Sequence, residues 1–334
     1  MSHRAIILVN LGTPNNSNYY AVFRYLQEFL SDPRVIDYPW LVRFILVNFI
    51  ICPLRSFSSS KIYKELFGQY SGQSPLKLYT EKLIKRLNES GIYDKFYYAM
   101  RYQNPSLEKV IDHALSENPD ELVIFPLFPQ YSSATTGSVY EKVSKILSKY
   151  WVIPKVTYVG QFYSEPSFIH AWASNVSKFQ LNDYDHILFS FHGLPNSQVN
   201  KVYLDNNCAD KDCDKEVNEI NKYCYKATSY ETARLIANSV NILEKDYTVC
   251  FQSRLTKNWL EPFTDKVLES LASENKKKIL IISPAFTADC LETVIELGQE
   301  YQSLFQKAGG EMVDYVPSLN DSDQWVKCIK EILN

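Results

Sequence analysis

The sequence predicts an α/β protein in which two similar open parallel sheets are covered by helices on both faces. Short apolar runs alternate with stretches of helical periodicity along the whole chain of 334 residues, which is the pattern of parallel sheets buried on both sides. The chain is long enough for one or two such domains. The runs in the first half also follow the same order as those in the second half, which indicates an internal repeat.

Eight apolar runs have the length and composition of buried strands. They occupy residues 5–11, 96–102, 121–128, 156–162, 186–192, 246–252, 278–286 and 311–316. Between them, apolar residues recur at helical spacing. The predicted helices span residues 75–89, 105–116, 138–149, 226–242, 291–305 and 322–333. This alternation places the carboxyl ends of the parallel strands at one edge of each sheet, where α/β proteins bind their ligands.

The two halves resemble each other strand by strand. The first strand of each half ends in a glycine-containing turn, NLGTP at 10–14 and FHGLP at 191–195. Because two such sheets side by side form a crevice at their strand ends, we expect a ligand-binding cleft between two lobes. We place the first lobe at residues 1–165, with a C-terminal helix at 320–334 packing back on it, and the second lobe at residues 166–319.

Composition and charge argue against several classes of protein. A net charge of −3 is not the basic balance of a nucleic-acid-binding protein. The turn NLGTPNN after the first strand has one glycine and neither phosphate-binding motif occurs, which disfavours a nucleotide-dependent enzyme. The 24 tyrosines and 18 phenylalanines suit either large cores or a wide apolar ligand site. Seven cysteines without a secretion signal predict reduced thiols in the cytoplasm.

The most apolar segment is WLVRFILVNFIICPL at 40–54, which Arg43 and Asn48 interrupt and Pro53 ends. It is shorter than the roughly 20 residues that a membrane-spanning helix needs. We therefore expect a core helix that is buried on one face. The alternatives are a helix that rests on a bilayer surface and a helix that forms the lip of a ligand pocket.

His192 is the first candidate for chemistry. It ends the apolar run HILFSFH, and Gly193 and Pro195 follow it, so it reaches the carboxyl edge of its predicted sheet. An imidazole is the side chain best suited to accept a proton near neutral pH. The alternative is a core histidine that is hydrogen-bonded at the end of a strand. We expect the functional role.

A row of glutamates is the second candidate. Glu292, Glu296 and Glu300 recur at four-residue spacing, so a helix would place them along one face. Such a row suits a path for a hard cation or for protons, and the alternative is a solvated helix face. Asp289 and Glu292 also have the spacing of a capping box, whose role is structural.

Eight segments of the chain resemble those of the ferrochelatase family, in the family's order and over almost the whole length. They are LVNLGTP at 8–14, FLSDPRVID at 29–37, GQSPL at 72–76, MRYQNPS at 100–106, FPQYSSATTG at 128–137, FSFHGLP at 189–195, FQSRLTKNWLEPFTD at 251–265 and SPAFTADCLETVIELG at 283–298. The resemblance implies a chelatase-like fold of two Rossmann-like, doubly wound domains related by a pseudo-repeat. It also implies a lyase-class metal chelatase that inserts its substrate Fe²⁺ into protoporphyrin IX, which yields protoheme and two protons in the last step of heme biosynthesis.

The same resemblance implies roles for individual residues. The family's essential histidine matches His192 and its acidic partner matches Glu292, so both are expected to be catalytic and to bind the iron. Asp289 and Glu296 match a path for protons or metal. The residues that match porphyrin-binding positions are Ser74, Arg101, Tyr102, Gln252, Ser253, Arg254, Trp259 and Phe286. We expect the imidazole and the carboxylate to reach the cleft from opposite lobes.

The predicted second lobe carries an insertion at 205–225 with three cysteines, Cys208, Cys213 and Cys224. Some ferrochelatases hold a [2Fe–2S] cluster, and one group places its cysteines in an internal stretch like this one. Because such a cluster takes four ligands, Asp214 or a distant cysteine would have to complete it. The alternatives are a zinc-binding loop and a remnant with incidental thiols.

Two other functions fit the sequence. One is a chelatase for coproporphyrin or another tetrapyrrole, and the other is a non-catalytic carrier of tetrapyrroles or metal. The expected partners are protoporphyrin IX and Fe²⁺, with no nucleic acid. Because the product is hydrophobic, we expect a cytoplasmic protein with peripheral contact to the inner membrane face.

Overall fold

The computed structural model describes residues 3–89, 94–208 and 211–334. The chain forms two compact units, of which the first ends at Gln161 and the second begins at Phe162. Each unit contains one four-stranded parallel sheet flanked by helices, so the predicted α/β fold is confirmed. The division between the units lies close to the boundary expected after residue 165.

The first unit is built on a sheet in the order β2-β1-β3-β4. Its strands are β1 (Arg4–Gly12), β2 (Lys95–Tyr102), β3 (Glu121–Pro126) and β4 (Lys155–Tyr158). The interior of β1 is a continuous buried run because helices cover both faces of the sheet. The helices are α1 (Tyr19–Leu30), α2 (Trp40–Ile45), α3 (Cys52–Gln69), α4 (Pro75–Glu89), α5 (Leu107–Ser116) and α6 (Ser138–Leu147).

The second unit repeats this arrangement with a sheet in the order β6-β5-β7-β8. Its strands are β5 (His186–His192), β6 (Tyr247–Gln252), β7 (Lys278–Ile282) and β8 (Met312–Tyr315). The helices are α7 (Pro166–Val176), α8 (Asn196–Asn200), α9 (Tyr225–Ser239), α10 (Thr264–Ser273), α11 (Tyr301–Lys307) and α12 (Asp323–Leu333). A π-helix, Glu292–Glu300, leads directly into α11. The first strand of each half is central in its sheet, which confirms the repeat read from the sequence.

The C-terminal helix α12 packs on α7 within the second unit. Trp325 of α12 is fully buried, and its ring centroid lies 5.8 Å from that of Phe162 and 6.1 Å from that of Phe168. The prediction that the helix at 320–334 packs back on the first lobe is therefore wrong. The prediction failed because α7, a largely buried helix, supplies an apolar partner for α12 inside the second unit.

The apolar segment at 40–54 belongs to a longer continuous helix, which runs from Trp40 to Gln69 and contains a π-helical turn at Leu46–Ile51. The large side chains Phe49 and Leu54 are 68% and 71% exposed, so the expected core helix is wrong. Within the described residues, this is the one helix that is long and apolar enough to cross a membrane by length and composition. Only 17% of its most apolar window is buried.

The C-terminal part of this helix is attached to the first unit. Tyr63, Leu66 and Phe67 are buried, and the ring of Tyr63 lies 6.3 Å from that of Tyr25 on α1. The helix thus divides into an anchored C-terminal part and an N-terminal part that presents apolar side chains to solvent. Such a contiguous exposed apolar surface marks an interaction surface.

Candidate active site

His192 ends β5, the central strand of the second sheet, and pairs in register with Gln252 at the end of β6. Its Nδ1 lies 2.6 Å from the carbonyl oxygen of Gly193. Because a carbonyl oxygen only accepts hydrogen bonds, this contact assigns a proton to Nδ1 and leaves Nε2 as the nitrogen that can accept or release a proton. The ring centroids of Trp259 and Phe286 each lie 6.4 Å from that of His192. The strand end therefore presents an imidazole beside two aromatic side chains.

Gly193 explains how the chain can turn immediately after this histidine. Its backbone N–H donates to the carbonyl oxygen of Gln252 at 2.8 Å. A Cβ atom at position 193 would lie 2.9 Å from that same oxygen and 3.2 Å from the ring of Trp259. Only glycine allows β5 and β6 to approach this closely, and this approach holds His192 beside Gln252 and Trp259.

Glu296 is a partly buried carboxylate at the same edge of the sheet. Its Oε1 accepts hydrogen bonds from the backbone N–H of Ser253 at 2.9 Å and from the hydroxyl of Tyr301 at 2.9 Å. Its Oε2 accepts from the hydroxyl of Ser253 at 2.5 Å and from the amide of Gln252 at 3.4 Å. Desolvation raises the pKa of Glu296 above its ordinary value, although these hydrogen bonds and the charge of His192 oppose the shift. Glu296 is thus suited to hold a proton at a higher pH than an exposed glutamate.

The residues around Glu296 are themselves held in place. Ser253 has a φ of 61°, in the left-handed region, and this backbone conformation directs both its N–H and its hydroxyl to Glu296. The side-chain oxygen of Gln252 accepts from Ser190 at 2.8 Å and from Ser283 at 3.4 Å, so its NH₂ group faces Glu296. A strained backbone that aims two donors at one carboxylate is typical of functional sites.

Glu292 opens the π-helix, in which backbone bonds run from residue i+5 to residue i. It is partly buried, and its negative charge helps to raise the pKa of Glu296. Glu300 at the end of the π-helix is exposed. The glutamate row read from the sequence therefore leads from the strand ends to solvent, with the partly buried Glu296 in its middle.

Asp289 is buried just before this helix and has its own partners. Its carboxylate accepts from the hydroxyl of Thr293 at 3.1 Å, from the N–H of Ser318 at 3.1 Å and from the amide of Asn320 at 2.7 Å. The π-helix has no side-chain cap at its N-terminus, so the predicted capping box with Glu292 is wrong. The carboxylate instead fixes the turn before the helix, and its part in a proton path stays a prediction.

Arg254 is turned toward α10. Its guanidinium pairs with Asp265 at 2.5 Å and lies 4.0 Å from the ring centroid of Phe263. The predicted site residues that the structure brings together at the carboxyl edge of the second sheet are His192, Gln252, Ser253, Trp259, Phe286, Glu292 and Glu296. Both His192 and Glu292 belong to the second unit, so the expectation that they come from opposite lobes is wrong.

The remaining predicted residues lie in the first unit. The guanidinium of Arg101, whose side chain is 12% exposed, pairs with Asp32 at 2.5 Å, and the hydroxyl of Tyr102 donates to the same carboxylate at 3.0 Å. Arg101 and Asp32 also line a surface cavity of about 700 Å³. Ser74 is buried immediately before α4. The contribution of these three residues to substrate binding stays a prediction.

Sequence reasoning missed two residues that hold predicted site residues in place, one in each unit. The hydroxyl of Tyr301 donates to Glu296, which lies five residues earlier in the chain. Five residues is the hydrogen-bond spacing of a π-helix, whereas an α-helix has a spacing of four. Asp32 lies within the quoted FLSDP stretch and holds Arg101, Tyr102 and the hydroxyl of Ser138 together. The helical glutamate spacing alone could not have identified Tyr301, because it assumes an α-helix.

The three cysteines of the insertion form a second cluster, in the irregular segment between α8 and α9. The Sγ atoms of Cys208 and Cys213 lie 3.6 Å apart, those of Cys208 and Cys224 lie 3.8 Å apart, and those of Cys213 and Cys224 lie 3.6 Å apart. Hydrogen bonds from the Cys208 and Cys213 thiols lower the pKa of Cys224. Residues 209 and 210 of the predicted insertion lie outside the described residues.

Within the described residues, no fourth ligand atom of a cysteine, histidine or carboxylate lies within 4.8 Å of all three cysteine sulfurs. The backbone carbonyl of Asp214 accepts a hydrogen bond from Arg234 at 2.9 Å. The other cysteines are buried free thiols at Cys52, Cys250, Cys290 and Cys328.

Comparisons with known proteins agree with the motifs. A family model described as ferrochelatase matches residues 3–334. The ferrochelatase of Legionella pneumophila subsp. pneumophila (strain Philadelphia 1) is 40% identical over 336 residues, which cover 99% of this chain and 98% of that protein. The ferrochelatase of Coxiella burnetii (strain CbuK_Q154) is 39% identical over 339 residues, which cover 98% of this chain and 92% of that protein.

Solved structures support the fold at low sequence identity. SirB from Bacillus subtilis with Fe³⁺ aligns with a TM-score of 0.53 at 11% identity and covers 99% of this chain and 94% of its own. The sirohydrochlorin chelatase SirB from Bacillus subtilis subspecies spizizenii, in complex with cobalt, aligns with a TM-score of 0.54 at 10% identity. It covers 98% of this chain and 93% of its own. The two-domain α/β architecture is therefore one that chelatases use.

Proposed function

Because the chain belongs to the ferrochelatase family, we propose that the carboxyl edge of its second sheet is where Fe²⁺ is inserted into protoporphyrin IX. A ferrochelatase is a lyase-class metal chelatase that forms protoheme in the terminal step of heme synthesis. The observation that carries the assignment to this site is the contact of His192 Nδ1 with the carbonyl oxygen of Gly193. This contact leaves Nε2 as the nitrogen that can accept or release a proton, and the imidazole lies beside two aromatic rings and a carboxylate of raised pKa.

The reaction sets two requirements that these residues meet. Metal insertion replaces two pyrrole N–H protons by one Fe²⁺, so the site must accept two protons for each heme formed. It must also replace the water ligands of the metal. An imidazole nitrogen can accept a proton, and imidazole together with carboxylate is a good ligand set for ferrous iron. His192 and Glu292 can thus serve as the base and as transient ligands.

Glu296 can accept the protons that the porphyrin releases. Its raised pKa means that it binds a proton more readily than an exposed carboxylate, and the charge of His192 acts on it directly. The exposed Glu300 lies one further step along the same helix. We propose that protons pass from His192 along this glutamate row to solvent.

The aromatic side chains can hold and bend the porphyrin ring. A flat porphyrin shields its inner nitrogens, so its ring must be bent before a hydrated metal can reach them. Trp259 and Phe286 flank His192 and offer apolar surfaces against which a ring can be held. Binding energy along such a wall can offset the strain of the bent ring.

An optical assay of metal insertion tests the proposed function. Purified protein is given Fe²⁺ under anaerobic conditions, or Zn²⁺, together with protoporphyrin IX or coproporphyrin. We expect many turnovers with Fe²⁺ and protoporphyrin IX. Faster turnover with coproporphyrin would support the alternative tetrapyrrole chelatase, and stoichiometric binding without turnover would support the non-catalytic carrier.

Glu296→Gln is expected to lower kcat for Zn²⁺ insertion at least about tenfold and to change its pH dependence. A raised pKa means that wild-type Glu296 stays protonated to a higher pH than an ordinary glutamate, so its activity rises with pH through that raised value. An amide cannot take a proton, and this acid limb should disappear. The measurement is kcat against pH, with Glu311→Gln, an exposed glutamate outside the row, as the matched control. An unchanged acid limb in Glu296→Gln would remove Glu296 from the proton path.

The metal of this reaction is a substrate, and the catalytic steps need no resident cluster. The [2Fe–2S] cluster implied by the resemblance requires four ligands, whereas three thiols come together in the described part of the insertion. We therefore assign no step of metal insertion to the three cysteines.

We also propose that the protein is cytoplasmic and rests on the inner face of the membrane through the N-terminal part of the Trp40–Gln69 helix. Exposed Phe49, Leu54 and Phe57 on this helix support the proposal, as does the apolar character of its product. The free state of all seven cysteines fits a reducing compartment. Attachment of the helix to its own unit through Tyr63 favours surface contact over spanning.

Replacing Phe49, Leu54 and Phe57 together by serine is expected to weaken binding to lipid vesicles at least tenfold. Each large apolar side chain contributes about 1.5–3 kcal/mol when it is fully buried, and partial burial of three suffices for this change. Co-sedimentation with vesicles measures it. Leu243→Ser, an exposed leucine in the second unit, is the control. Equal sedimentation of the triple variant and the wild type would refute this membrane surface.

A further inference from the structure

The three cysteines of the insertion are arranged as a nearly equilateral triangle. Their Sγ–Sγ distances are 3.6, 3.6 and 3.8 Å, and Cys213 and Cys224 are buried. The hydroxyl of Tyr203 lies 3.0 Å from Sγ of Cys213 and 4.0 Å from Sγ of Cys208. Three thiols that face one another in this way form a compact group of soft metal ligands, and the phenol of Tyr203 lies within hydrogen-bond distance of them.

This geometry does not fit a [2Fe–2S] cluster. In such a cluster each iron takes two protein ligands. The two ligands of one iron therefore lie close together, and both lie farther from the two ligands of the other iron. Three sulfurs that are equally spaced at 3.6–3.8 Å cannot be divided between two irons in that way. The insertion thus departs from the cluster that the family resemblance implies.

The same distances fit a single tetrahedral ion. With metal–sulfur bonds of about 2.3 Å, as for Zn²⁺, tetrahedral geometry places neighbouring sulfurs about 3.8 Å apart. We propose that Cys208, Cys213 and Cys224 bind one thiophilic divalent cation of the Zn²⁺ class, with an oxygen ligand in the fourth position. The hydroxyl of Tyr203 hydrogen-bonds to this ligand set and orients it.

The position of the site in the chain indicates a structural role. Cys224 is the residue that caps the N-terminus of α9, whereas Cys208 and Cys213 lie in an irregular loop. Buried Asn221 also holds this loop, because its amide donates to the carbonyl oxygens of Lys211 at 3.2 Å and Glu216 at 2.9 Å. One ion bound by all three thiolates would tie the loop to the start of α9, and its binding energy would add to the stability of the insertion.

Metal analysis and cobalt spectroscopy on the full chain test the proposal. The protein is stripped by a chelator under reducing conditions and then supplied with Zn²⁺ or Co²⁺. We expect one thiolate-bound ion per chain, seen with Co²⁺ as thiolate-to-metal charge transfer and as the strong visible bands of a tetrahedral site. His192 and Glu292 offer only nitrogen and oxygen ligands, so a substrate ion bound there gives no thiolate signal. The signal should vanish in Cys213→Ala and persist in Cys328→Ala, a buried cysteine of α12.

Proteolysis of the wild-type chain provides a second measurement that does not depend on a variant folding. The loop carries the exposed Lys215 and the partly exposed Lys222. We expect trypsin to cut there at least ten times more slowly when Zn²⁺ is bound. Two irons and two sulfides per chain in anaerobically purified protein would overturn the proposal. So would a missing thiolate–cobalt signal, a signal that survives in Cys213→Ala, or cleavage that Zn²⁺ does not slow. None of these outcomes bears on metal insertion at His192.

Discussion

His192→Ala is expected to lower kcat for metal insertion by about 1,000-fold, within the range known for the loss of a general acid–base group. Nδ1 of His192 is fixed by the carbonyl oxygen of Gly193, so Nε2 is the basic nitrogen that the strand end presents. Alanine leaves no group at that position to take a pyrrole proton or to bind the metal. The measurement is the initial rate of Zn²⁺ and Fe²⁺ insertion into protoporphyrin IX.

His186→Ala is the matched control, because His186 lies at the other end of the same strand. Its Nε2 contacts the hydroxyl of Thr248 at 2.9 Å, away from the aromatic pair around His192. We expect this variant to keep kcat within about twofold, and we expect His192→Ala to retain porphyrin binding and its thermal midpoint. If His192→Ala kept more than a tenth of the wild-type kcat, its role as the base would be wrong.

The strands could be predicted because their burial is simple. Helices cover both faces of each sheet, so strands such as β1 and β5 read as continuous apolar runs with clear ends. The two sheets have the same strand order, and this is why their strand ends carry similar turns. Helices that are apolar on most sides were harder to place. Seven of the eleven residues of α7 are buried, so α7 lacks the periodic pattern of a surface helix. Because α7 was not predicted, the helix on which α12 packs was missed as well.

The prediction for the apolar segment at 40–54 failed for the opposite reason. An apolar segment of this kind is read as core because burial in the protein is the commonest way to remove it from water. The sequence of residues 40–54 does not distinguish a helix buried in the protein from a helix exposed at a membrane surface. The side chains of Phe49 and Leu54 point away from the unit, and only the structure shows it.

The site was predicted as a set of residues but not as a set of contacts. The motifs indicated His192, Glu292 and Glu296, whereas the hydrogen bonds to Glu296 depend on the π-helix and on the backbone of Ser253. Both features are local departures from regular geometry, which propensity and periodicity cannot report. Departures of this kind concentrate where function overrides the local rules.

Glu292→Gln is expected to lower kcat/KM for metal insertion about 100-fold. The amide keeps the size of the side chain and removes its negative charge, and the π-helix should persist because Glu292 makes no capping hydrogen bond. Loss of that charge weakens binding of a divalent ion. It also removes the repulsion that helps to raise the pKa of Glu296, so the pKa of Glu296 should fall. The acid limb of the pH profile should therefore move to lower pH, whereas loss of the Glu296 carboxylate removes that limb.

The two roles of Glu292 separate in the kinetic constants. If its carboxylate binds the incoming ion, most of the loss appears as a higher KM for the metal, because ground-state binding is weakened. If it acts only on proton transfer, kcat falls and the KM for the metal stays unchanged. Glu311→Gln removes an exposed carboxylate of the second unit that lies outside the row and should change neither constant. A Glu292→Gln enzyme with wild-type kcat and KM would show that the metal path does not pass this carboxylate, and His192 would then need a different acidic partner.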